Sequence, residues 1–281
     1  MPLTDASWAR VEPLLPDRTH RRGGRWRDHR QVIDAIAFKY RTGTPWTDLP
    51  EHFGSWKGVH NRLRKWAADG TWEKVFTALL AQADAEGDRD WVVAVDSTIV
   101  RAHQHAAGGL SKGAPAGEPD DHAIGRSRGG LTTTIHLATD GRCRPLAFVL
   151  APGQAGDAPA FTKVMAQLRV PRPIGRPRTT PDVVLADKAY SSRAIRTHLR
   201  QRGIRAVIPQ PSDQIAKRKK RGRSGGRPPA FDRETYKQRN AVEQCINKLK
   251  QWRGLATRYD KTAAIYLAGL HIAAIIIWSA R

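Results

Sequence analysis

Apolar residues recur at two different spacings along the chain, and the spacing changes near residue 90. Before that point they recur every three or four positions, which is typical of helices packed on one face. Helices are predicted to begin near Asp5, Asp28 and Ser55, and a fourth is predicted over 72–85. The pattern therefore predicts an all-helical N-terminal domain, 1–88, followed by a domain with strands, 89–281.

Five short apolar runs in the second part predict strands. They cover 91–96, 131–137, 145–150, 183–187 and 206–208. Asp140 and Gly141 predict a hairpin turn between the second and third runs, and helices are predicted between the later ones. Three antiparallel strands, followed by two that alternate with helices, predict one mixed α/β sheet covered by helices on both faces. A flexible insertion, 104–130, and a basic loop, 211–231, interrupt the pattern.

The charge of the chain is strongly positive, with 48 Lys and Arg against 26 Asp and Glu and a net charge of +22. A soluble protein this basic repels itself unless a polyanion neutralises it, and nucleic acid is the commonest polyanion. The most basic run, which we interpret as a phosphate-contacting arm, contains Lys217, Arg218, Lys219, Lys220 and Arg221. A solvated loop is the alternative.

Cysteine content and the two ends of the chain bear on its location. Cys143 and Cys245 are too few for a disulfide framework or a thiolate metal cluster. The first residues show no signal pattern, so we expect a cytoplasmic protein. The apolar run 263–280 is about as long as a membrane span, but it contains His271 and many small residues. We interpret it as a buried C-terminal helix and expect no membrane partner.

The helix predicted over 56–68 has an apolar face and a polar face. Its polar face carries Lys57, His60, Asn61 and Arg64, and a tight turn with a short helix precedes it at 45–50. This order is typical of a helix-turn-helix that reads the major groove of DNA, and these four side chains would then be DNA contacts. The alternative is a solvated face of a small helical bundle.

Two of the predicted strands end in an aspartate, Asp96 and Asp187. Either one alone is equally typical of a turn or a cap, but together they fall on consecutive strands that we expect to be neighbours. Crowded carboxylates repel each other unless they are protonated or bridged by a cation, and oxygen ligands suit Mg²⁺ or Mn²⁺. No His or Cys lies beside either aspartate to indicate zinc.

A helix predicted over 234–252 supplies a third carboxylate. Tyr236, Arg239, Glu243 and Lys250 fall within an arc of roughly 60° on this helix. An exposed ion pair between Arg239 and Glu243 would explain two of these residues and leave the other two to chance. One edge of the helix therefore combines an aromatic ring, a guanidinium, a carboxylate and an ammonium group.

The spacing of these four residues resembles the signature around the last acidic residue in DDE transposases of the IS five family. The resemblance covers nearly the whole chain. Segments 41–50 and 54–57 are similar to the N-terminal domain of that family, and 95–98 and 185–190 to its first and second acidic motifs. Segment 125–133 also resembles the family, but many relatives continue with Lys where this chain has Thr134.

The resemblance implies a ribonuclease-H-like catalytic domain and a two-metal mechanism. Asp96, Asp187 and Glu243 would hold two Mg²⁺ or Mn²⁺ ions in each active site. Hydrolysis at the end of the element would free a 3′-hydroxyl, which would attack target DNA. Arg239 and Lys250 would neutralise phosphates or grip terminal bases, and Tyr236 would stack on a base or pack beneath the site.

The partners that the resemblance implies are double-stranded DNA, as terminal inverted repeats and as target, and further copies of the chain in a homodimer or higher oligomer. The setting would be the nucleoid of a bacterial cell. Two alternatives remain open. A ribonuclease-H-like nuclease without strand transfer would share the carboxylates but need no helix-turn-helix. In a non-catalytic DNA-binding protein the carboxylates could be lost freely, so their presence argues against it.

Overall fold

The computed structural model describes residues 2–17, 27–88, 90–109, 114, 115 and 117–280. Its strands are β1 (Val92–Ala102), β2 (Gly125–Ser127), β3 (Gly130–Thr139), β4 (Pro145–Pro152), β5 (Val183–Ala186), β6 (Arg205–Val207) and β7 (Thr257–Arg258). Its helices are α1 (Asp5–Val11), α2 (His29–Thr42), α3 (Trp56–Ala68), α4 (Thr71–Ala85), α5 (Gln104–Ala107), α6 (Asp157–Gln167), α7 (Arg193–Gln201), α8 (Ser212–Lys220), α9 (Arg233–Lys237), α10 (Asn240–Lys250), α11 (Arg253–Ala256) and α12 (Ala263–Ser279).

All seven strands belong to one mixed sheet. Its central order is β4-β3-β1-β5-β6, with β2 beside β3 and β7 beside β1. The pairs among β1, β3 and β4 are antiparallel, whereas β1, β5 and β6 are parallel to one another. Helices connect the parallel strands, because a parallel pair requires a crossover. This arrangement confirms the mixed α/β sheet of ribonuclease-H-like type, preceded by a helical region.

β1 is longer than the sequence predicts. The strand continues for six residues beyond Asp96, so the prediction that it ends at this aspartate is wrong. On one side of β1, the antiparallel ladder with β3 reaches Arg101. On the other side, the parallel ladder with β5 stops at Val95 and Ala186. Asp96 therefore lies where one edge of β1 becomes open while the other stays paired.

The N-terminal helices follow the predicted pattern of apolar residues. The Asp28 carboxylate accepts the Gln31 N–H at 3.0 Å and caps α2, which ends at Gly43 with a φ of +72°. Helix α1 is capped by Thr4 rather than by Asp5. Two short 3₁₀ turns, Trp46–Asp48 and Glu51–Phe53, occupy the connection between α2 and α3.

The apolar C-terminal run forms α12, which is buried as predicted. It packs against α1, α3 and α4 and also against β4. Gly269 lies so close to the Tyr40 ring that a Cβ atom there would be 2.6 Å away. Within the described ranges, no helix is long and apolar enough to cross a membrane. Through α12 the N-terminal helices share one core with the sheet, and a domain boundary at residue 88 stays a prediction.

Much of the insertion predicted to be flexible, 104–130, is ordered by contacts with the rest of the chain. It contains α5 and β2, and Ala123 and Ile124 are buried. The Glu118 carboxylate accepts the N–H groups of Ala263 and Ala264 at the start of α12. A carboxylate is stabilised there by the helix dipole. The prediction is therefore wrong for 117–130, while 110–113 and 116 lie outside the described residues.

The basic loop predicted over 211–231 is also partly wrong, because α8 occupies its first half. Asp213 lies in the first turn of α8, and the basic residues lie in its last turn. This distribution complements the helix dipole, so the charge run favours a helix where a loop was predicted. A 3₁₀ turn, Gly222–Gly225, follows.

Candidate active site

Asp96 and Asp187 lie next to each other on neighbouring parallel strands. Val95 of β1 is paired with Ala186 of β5, and the next residue on each strand is an aspartate. One oxygen of Asp187 accepts the Ala189 N–H at 2.8 Å and starts a 3₁₀ turn after β5. The two carboxylates are therefore held side by side by the register of the sheet, as the sequence predicts.

Both carboxylate oxygens of Asp96 have a partner. Oδ1 accepts the N–H of Ser97 at 2.8 Å, and Oδ2 accepts from Nη1 of Arg239 at 2.8 Å. Burial raises the pKa of Asp96 and the neighbouring Asp187 raises it further, although the Ser97 N–H and Arg239 oppose the rise. The ionised form of Asp96 is therefore destabilised unless a cation lies close to it.

Glu243 is connected to the two aspartates through Arg239. One guanidinium nitrogen contacts Asp96 and the other contacts Glu243. The Arg239 side chain is 18% exposed, whereas that of Glu243 is 50% exposed. Across the described ranges, no three His, Cys, Asp or Glu side chains lie close enough together to hold a metal ion. In this structure the positive charge between Asp96 and Glu243 is the guanidinium.

The single helix predicted over 234–252 is broken into α9 and α10. The N–H of Gln238 donates to Thr235 and that of Arg239 to Tyr236, so hydrogen bonds three residues apart tighten the chain at this point. The prediction of a continuous helix is wrong here. The tightened turn places Arg239 just before α10, one turn ahead of Glu243, where it reaches β1.

Tyr236 and Lys250 lie on either side of this bridge. The Tyr236 ring is 5.8 Å from the guanidinium carbon of Arg239 and 5.2 Å from the Phe231 ring. Lys250 Nζ donates to the backbone oxygen of Ile99 at 3.3 Å, on the open edge of β1. Of the four residues predicted from the helix edge, Arg239 and Lys250 contact β1, and Tyr236 and Glu243 contact Arg239. The contacts of these residues with DNA stay a prediction.

A fourth carboxylate, Asp157, lies beside the site. The hydroxyl of Ser97 donates to Asp157 Oδ1 at 2.6 Å, and Nδ1 of His136 is 3.7 Å from the same oxygen. Because the Ser97 N–H is bonded to Asp96, Ser97 connects the two acids. Asp157 lies in the first turn of α6, whose N-cap is Gly156. A Gly-Asp pair before a helix is equally typical of a cap, so the sequence held no clear signal.

Two buried polar side chains, His136 and Tyr190, lie near these acids. In the described part of the chain, neither ring nitrogen of His136 nor the Tyr190 hydroxyl makes a hydrogen bond with standard geometry. Burial raises the pKa of Tyr190, and Asp157, Asp96 and Asp187 raise it further. Burial lowers the pKa of His136, so both groups are neutral at pH 7. The negative charges of three carboxylates thus act on the Tyr190 hydroxyl.

The predicted DNA contacts of the N-terminal part lie on α3. Lys57, Asn61 and Arg64 are exposed on this helix. The ring of His60 is half-buried and meets the edge of the Trp46 ring, with 5.1 Å between the centroids. Three of the four residues are therefore available to a partner, and the role of the face in DNA binding stays a prediction.

The basic run of α8 lies close to the turn that follows Asp187. The Ser191 hydroxyl donates to Gln214 of α8 at 3.1 Å and ties the helix to this turn. Four of the five basic residues are exposed, and the fifth, Arg218, is half-buried. Lys217 is 3.7 Å from Asp213, one turn earlier. A cationic helix is thus tied to the turn that follows Asp187, and its contact with phosphates stays a prediction.

Comparison with protein families assigns the larger part of the chain. Residues 87–278, more than half of the sequence, match the family model described as the transposase DDE domain. The chain belongs to the DDE transposase family. It is accordingly a transposase, an enzyme that acts on DNA. Residues 3–76 match a second model, described as "putative transposase of IS4/5 family".

Two curated relatives come from insertion sequences. The chain is 37% identical over 107 residues to a protein of Burkholderia cepacia, "Insertion element IS402 uncharacterized 16.2 kDa protein", covering 36% of this chain and 73% of that one. It is 28% identical over 148 residues to the "Putative transposase for insertion sequence element IS6501" of Brucella ovis, covering 53% and 98%.

Among solved structures, the chain is similar to the catalytic domain of the Mos1 mariner transposase. The two are 10% identical, with 69% of this chain and 90% of that chain covered and a TM-score of 0.27. Such a score is too low to establish a shared fold, so the assignment of the fold rests on the strand order described above.

Proposed function

We propose that this transposase binds the terminal inverted repeats of an insertion sequence of the IS five family, cleaves the phosphodiester at each end and transfers the freed 3′-hydroxyl to target DNA. The observation that carries the proposal is the placement of Asp96 and Asp187 side by side, with Glu243 linked to them by Arg239. A nuclease without strand transfer remains the second candidate, because it would use the same carboxylates.

The donor set suits divalent cations that prefer oxygen ligands. Asp96, Asp187 and Glu243 offer only carboxylates, and the raised pKa of Asp96 indicates that a cation there would lower the free energy of its charged form. Two Mg²⁺ or Mn²⁺ ions held by these three side chains would supply the Lewis acidity that activates the attacking oxygen and stabilises the leaving oxygen. Arg239 must release Asp96 before all three carboxylates can act as ligands.

The cationic side chains around the carboxylates fit a phosphodiester substrate. Arg239 contacts Asp96, and Lys250 contacts the backbone oxygen of Ile99, three residues farther along β1; each would neutralise a phosphate of the bound strand. A guanidinium that leaves Asp96 remains close enough to meet such a phosphate. Tyr236 packs on Arg239 and would move with it. We assign these three residues to the binding of the end of the element.

Two further parts of the proposal concern assembly. Cleavage of both ends of one element requires that they be held together, so we propose that a homodimer or higher oligomer forms on nucleoid DNA. The basic residues of α8 would contact the backbone of this DNA, because they are exposed beside the turn that follows Asp187.

The decisive experiment follows the 3′ end of a labelled duplex that carries one terminal repeat. With Mg²⁺ and a supercoiled target plasmid, we expect cleavage at the repeat end and a labelled product joined to the plasmid. Cleavage with no joined product would favour the nuclease. Binding with neither reaction would favour the non-catalytic protein, and both outcomes contradict the proposal.

End recognition is tested by changing Lys57, Asn61 and Arg64 together to Ala. We expect the variant to lose its preference for a repeat-bearing duplex over an unrelated one. Contacts with base edges read the DNA sequence, whereas contacts with phosphates mainly position the protein on the duplex. Non-specific binding should survive and remain steeply dependent on salt. Competition binding with the two duplexes measures both quantities.

A matched control for this triple variant changes Lys217, Lys219 and Lys220 together to Ala. These residues are exposed on α8, and their removal should weaken binding to both duplexes about equally. An unchanged preference in the α3 variant would mean that the reader of the repeat lies elsewhere on the chain.

A further inference from the structure

Asp157 lies beside the active site, and the function proposed above assigns no role to it. Its Oδ1 atom accepts the Ser97 hydroxyl at 2.6 Å, a length typical of a strong hydrogen bond to a charged oxygen. Across the described residues, no Lys or Arg forms an ion pair with Asp157, and Gly156 rather than Asp157 is the N-cap of α6. Neither an ion pair of this kind nor a helix cap therefore explains this carboxylate.

Asp157 reaches β1 from the face of the sheet opposite to the one that carries Asp96. Successive side chains of a strand point to opposite faces, so Ser97 and Asp96 face different ways. Asp96 meets Arg239, which directly precedes α10, whereas Ser97 meets Asp157 in the first turn of α6. Both helices pack on β1. The strand is therefore held at residues 96 and 97 by one contact from each face.

The Ser97 contact falls where β1 loses its partner on one side. The parallel ladder with β5 stops at Val95, and the N–H of Ser97 donates instead to Asp96 Oδ1 at 2.8 Å. Because a carboxylate oxygen has two lone pairs, Oδ1 can accept this N–H and still bind a cation. Ser97 therefore makes two bonds, one through its hydroxyl to Asp157 and one through its backbone to Asp96.

His136 lies across from Ser97 but does not take its place as a donor. It is the neighbour of Ser97 on β3, so the two side chains share one face of the sheet. Its Nδ1 atom is 3.7 Å from Asp157 Oδ1, too far for a hydrogen bond, and burial lowers its pKa so that the ring is neutral at pH 7. Within the described ranges, the Ser97 hydroxyl is the one hydrogen-bond donor to Asp157.

We propose that Asp157 is a positioning residue for the metal site. Through Ser97 it holds the Asp96 carboxylate in the orientation that binds a divalent cation, and it touches neither the cation nor the DNA itself. The assignment rests on the proposed function, because it takes Asp96 as a metal ligand. Loss of a partner behind a metal ligand typically costs about 10–100-fold in metal affinity or activity, and we expect a loss of this size when the bond between Asp157 and Ser97 is removed.

Four variants and a control separate the hydrogen bond from the charge of Asp157. Asp157→Ala and Ser97→Ala each remove the bond, whereas Asp157→Asn removes the charge but keeps an oxygen that can accept the Ser97 hydroxyl. Asp187→Asn removes a proposed ligand and shows the signal of a damaged metal site. Glu73→Ala is the matched control, because it removes an exposed carboxylate from the first turn of another helix, α4.

Mn²⁺ binding is measured by electron paramagnetic resonance on the full chain bound to a repeat-bearing duplex that has already been cut at its end, so that no bond is left to cleave. Asp157→Ala and Ser97→Ala should each bind Mn²⁺ about 10–100-fold more weakly than the wild type. The double variant should lose no more than either single variant, because both changes remove the same bond. Asp157→Asn should keep most of the affinity, and Glu73→Ala should keep all of it.

Two further measurements distinguish a positioning role from a general loss of stability. In the metal-free protein, hydrogen exchange of the Ser97 N–H should become about tenfold faster in Asp157→Ala, while exchange at Val95, which is paired on both sides, should not change. Cleavage of an intact duplex by this variant should recover towards the wild-type rate as the Mn²⁺ concentration rises, because mass action compensates for weaker binding. A misfolded variant would not recover.

The outcomes separate this assignment from the proposed function. Wild-type Mn²⁺ affinity in Asp157→Ala, together with a loss in Asp187→Asn, would refute the positioning role and leave the proposed function intact. Equal losses in Asp157→Asn and Asp157→Ala would also refute the role, because the charge rather than the hydrogen bond would then matter. An Mn²⁺ affinity that Asp187→Asn leaves unchanged would count against the proposed function and against this assignment together.

Discussion

We expect Glu243→Gln to abolish Mg²⁺-dependent cleavage of a repeat-bearing duplex and to leave DNA binding intact. The substitution keeps the size of the side chain but removes the charge that attracts a cation. Removal of groups outside a metal's ligand shell already costs about 10–100-fold, so removal of a ligand should cost more than about 100-fold. Binding should be kept or slightly strengthened, because one negative charge near the phosphate path disappears.

The structure also gives Glu243 a simpler role, which the same experiment tests. It forms an ion pair with Arg239 one turn away on the same helix edge, and its side chain is half-exposed. Such a pair contributes only about 0.2–0.5 kcal/mol to the stability of a helix. If this were the only role of Glu243, the Glu243→Gln variant would cleave DNA at nearly the wild-type rate. That result, on one gel with Mg²⁺ and with EDTA, would refute the assignment to the active site.

Lys250→Ala provides the opposite pattern as a control. Its ammonium group lies at the edge of β1 and carries no metal-binding oxygen. Its removal should weaken binding of the end of the element and reduce the salt dependence of binding by the equivalent of about one phosphate. The cleavage rate should fall only as far as binding does. The two variants therefore separate catalysis from affinity.

The sequence predicted the parts of the site that short-range patterns determine. Two apolar runs that each contain or precede an aspartate indicate neighbouring strands, and the register of β1 and β5 confirms that Asp96 and Asp187 are adjacent. Caps are equally local. Asp28 caps α2 as predicted, and Ser192 caps α7 in the same way, because a side chain that bonds to a backbone N–H three residues later needs no tertiary partner.

Features set by distant contacts escaped prediction. The length of β1 depends on β3, whose pairing continues past Asp96. The break between α9 and α10 places Arg239 against a strand that lies far from it in sequence. Asp157 is typical of a cap until Ser97 is brought to it across the sheet. In each case the deciding partner lies dozens of residues away, where the spacing of residues carries no information.

The insertion shows the same limit on a larger scale. Its Gly, Pro and Ala content indicates a flexible segment, yet Ala123 is buried and its backbone oxygen accepts from the guanidinium of Arg258 at 3.3 Å. Arg258 is itself fully buried, an unusual position for an arginine. Composition cannot reveal a buried guanidinium that donates hydrogen bonds to several carbonyl groups, because in the sequence Arg258 is one basic residue among many.

Arg258 connects distant parts of the chain. Its guanidinium donates to the backbone oxygens of Asp260 at 2.9 Å and Lys261 at 3.1 Å, and to the Thr133 hydroxyl of β3 at 2.7 Å. It also lies 5.3 Å from the centre of the Tyr266 ring in α12. Its backbone pairs with the end of β1 through β7. The residue therefore joins the insertion, the sheet and the C-terminal helix.

Arg258→Leu should destabilise the protein by about 3–5 kcal/mol, because it removes the donors for several buried acceptors and a positive charge that interacts with Asp260, a residue only 9% exposed. Urea unfolding followed by tryptophan fluorescence measures the change. Arg200→Leu, on an exposed face of α7, is the matched control and should stay within about 0.5 kcal/mol of the wild type. A destabilisation below about 1 kcal/mol for Arg258→Leu would show that water replaces the guanidinium. The insertion would then be held by Glu118 and its apolar residues instead.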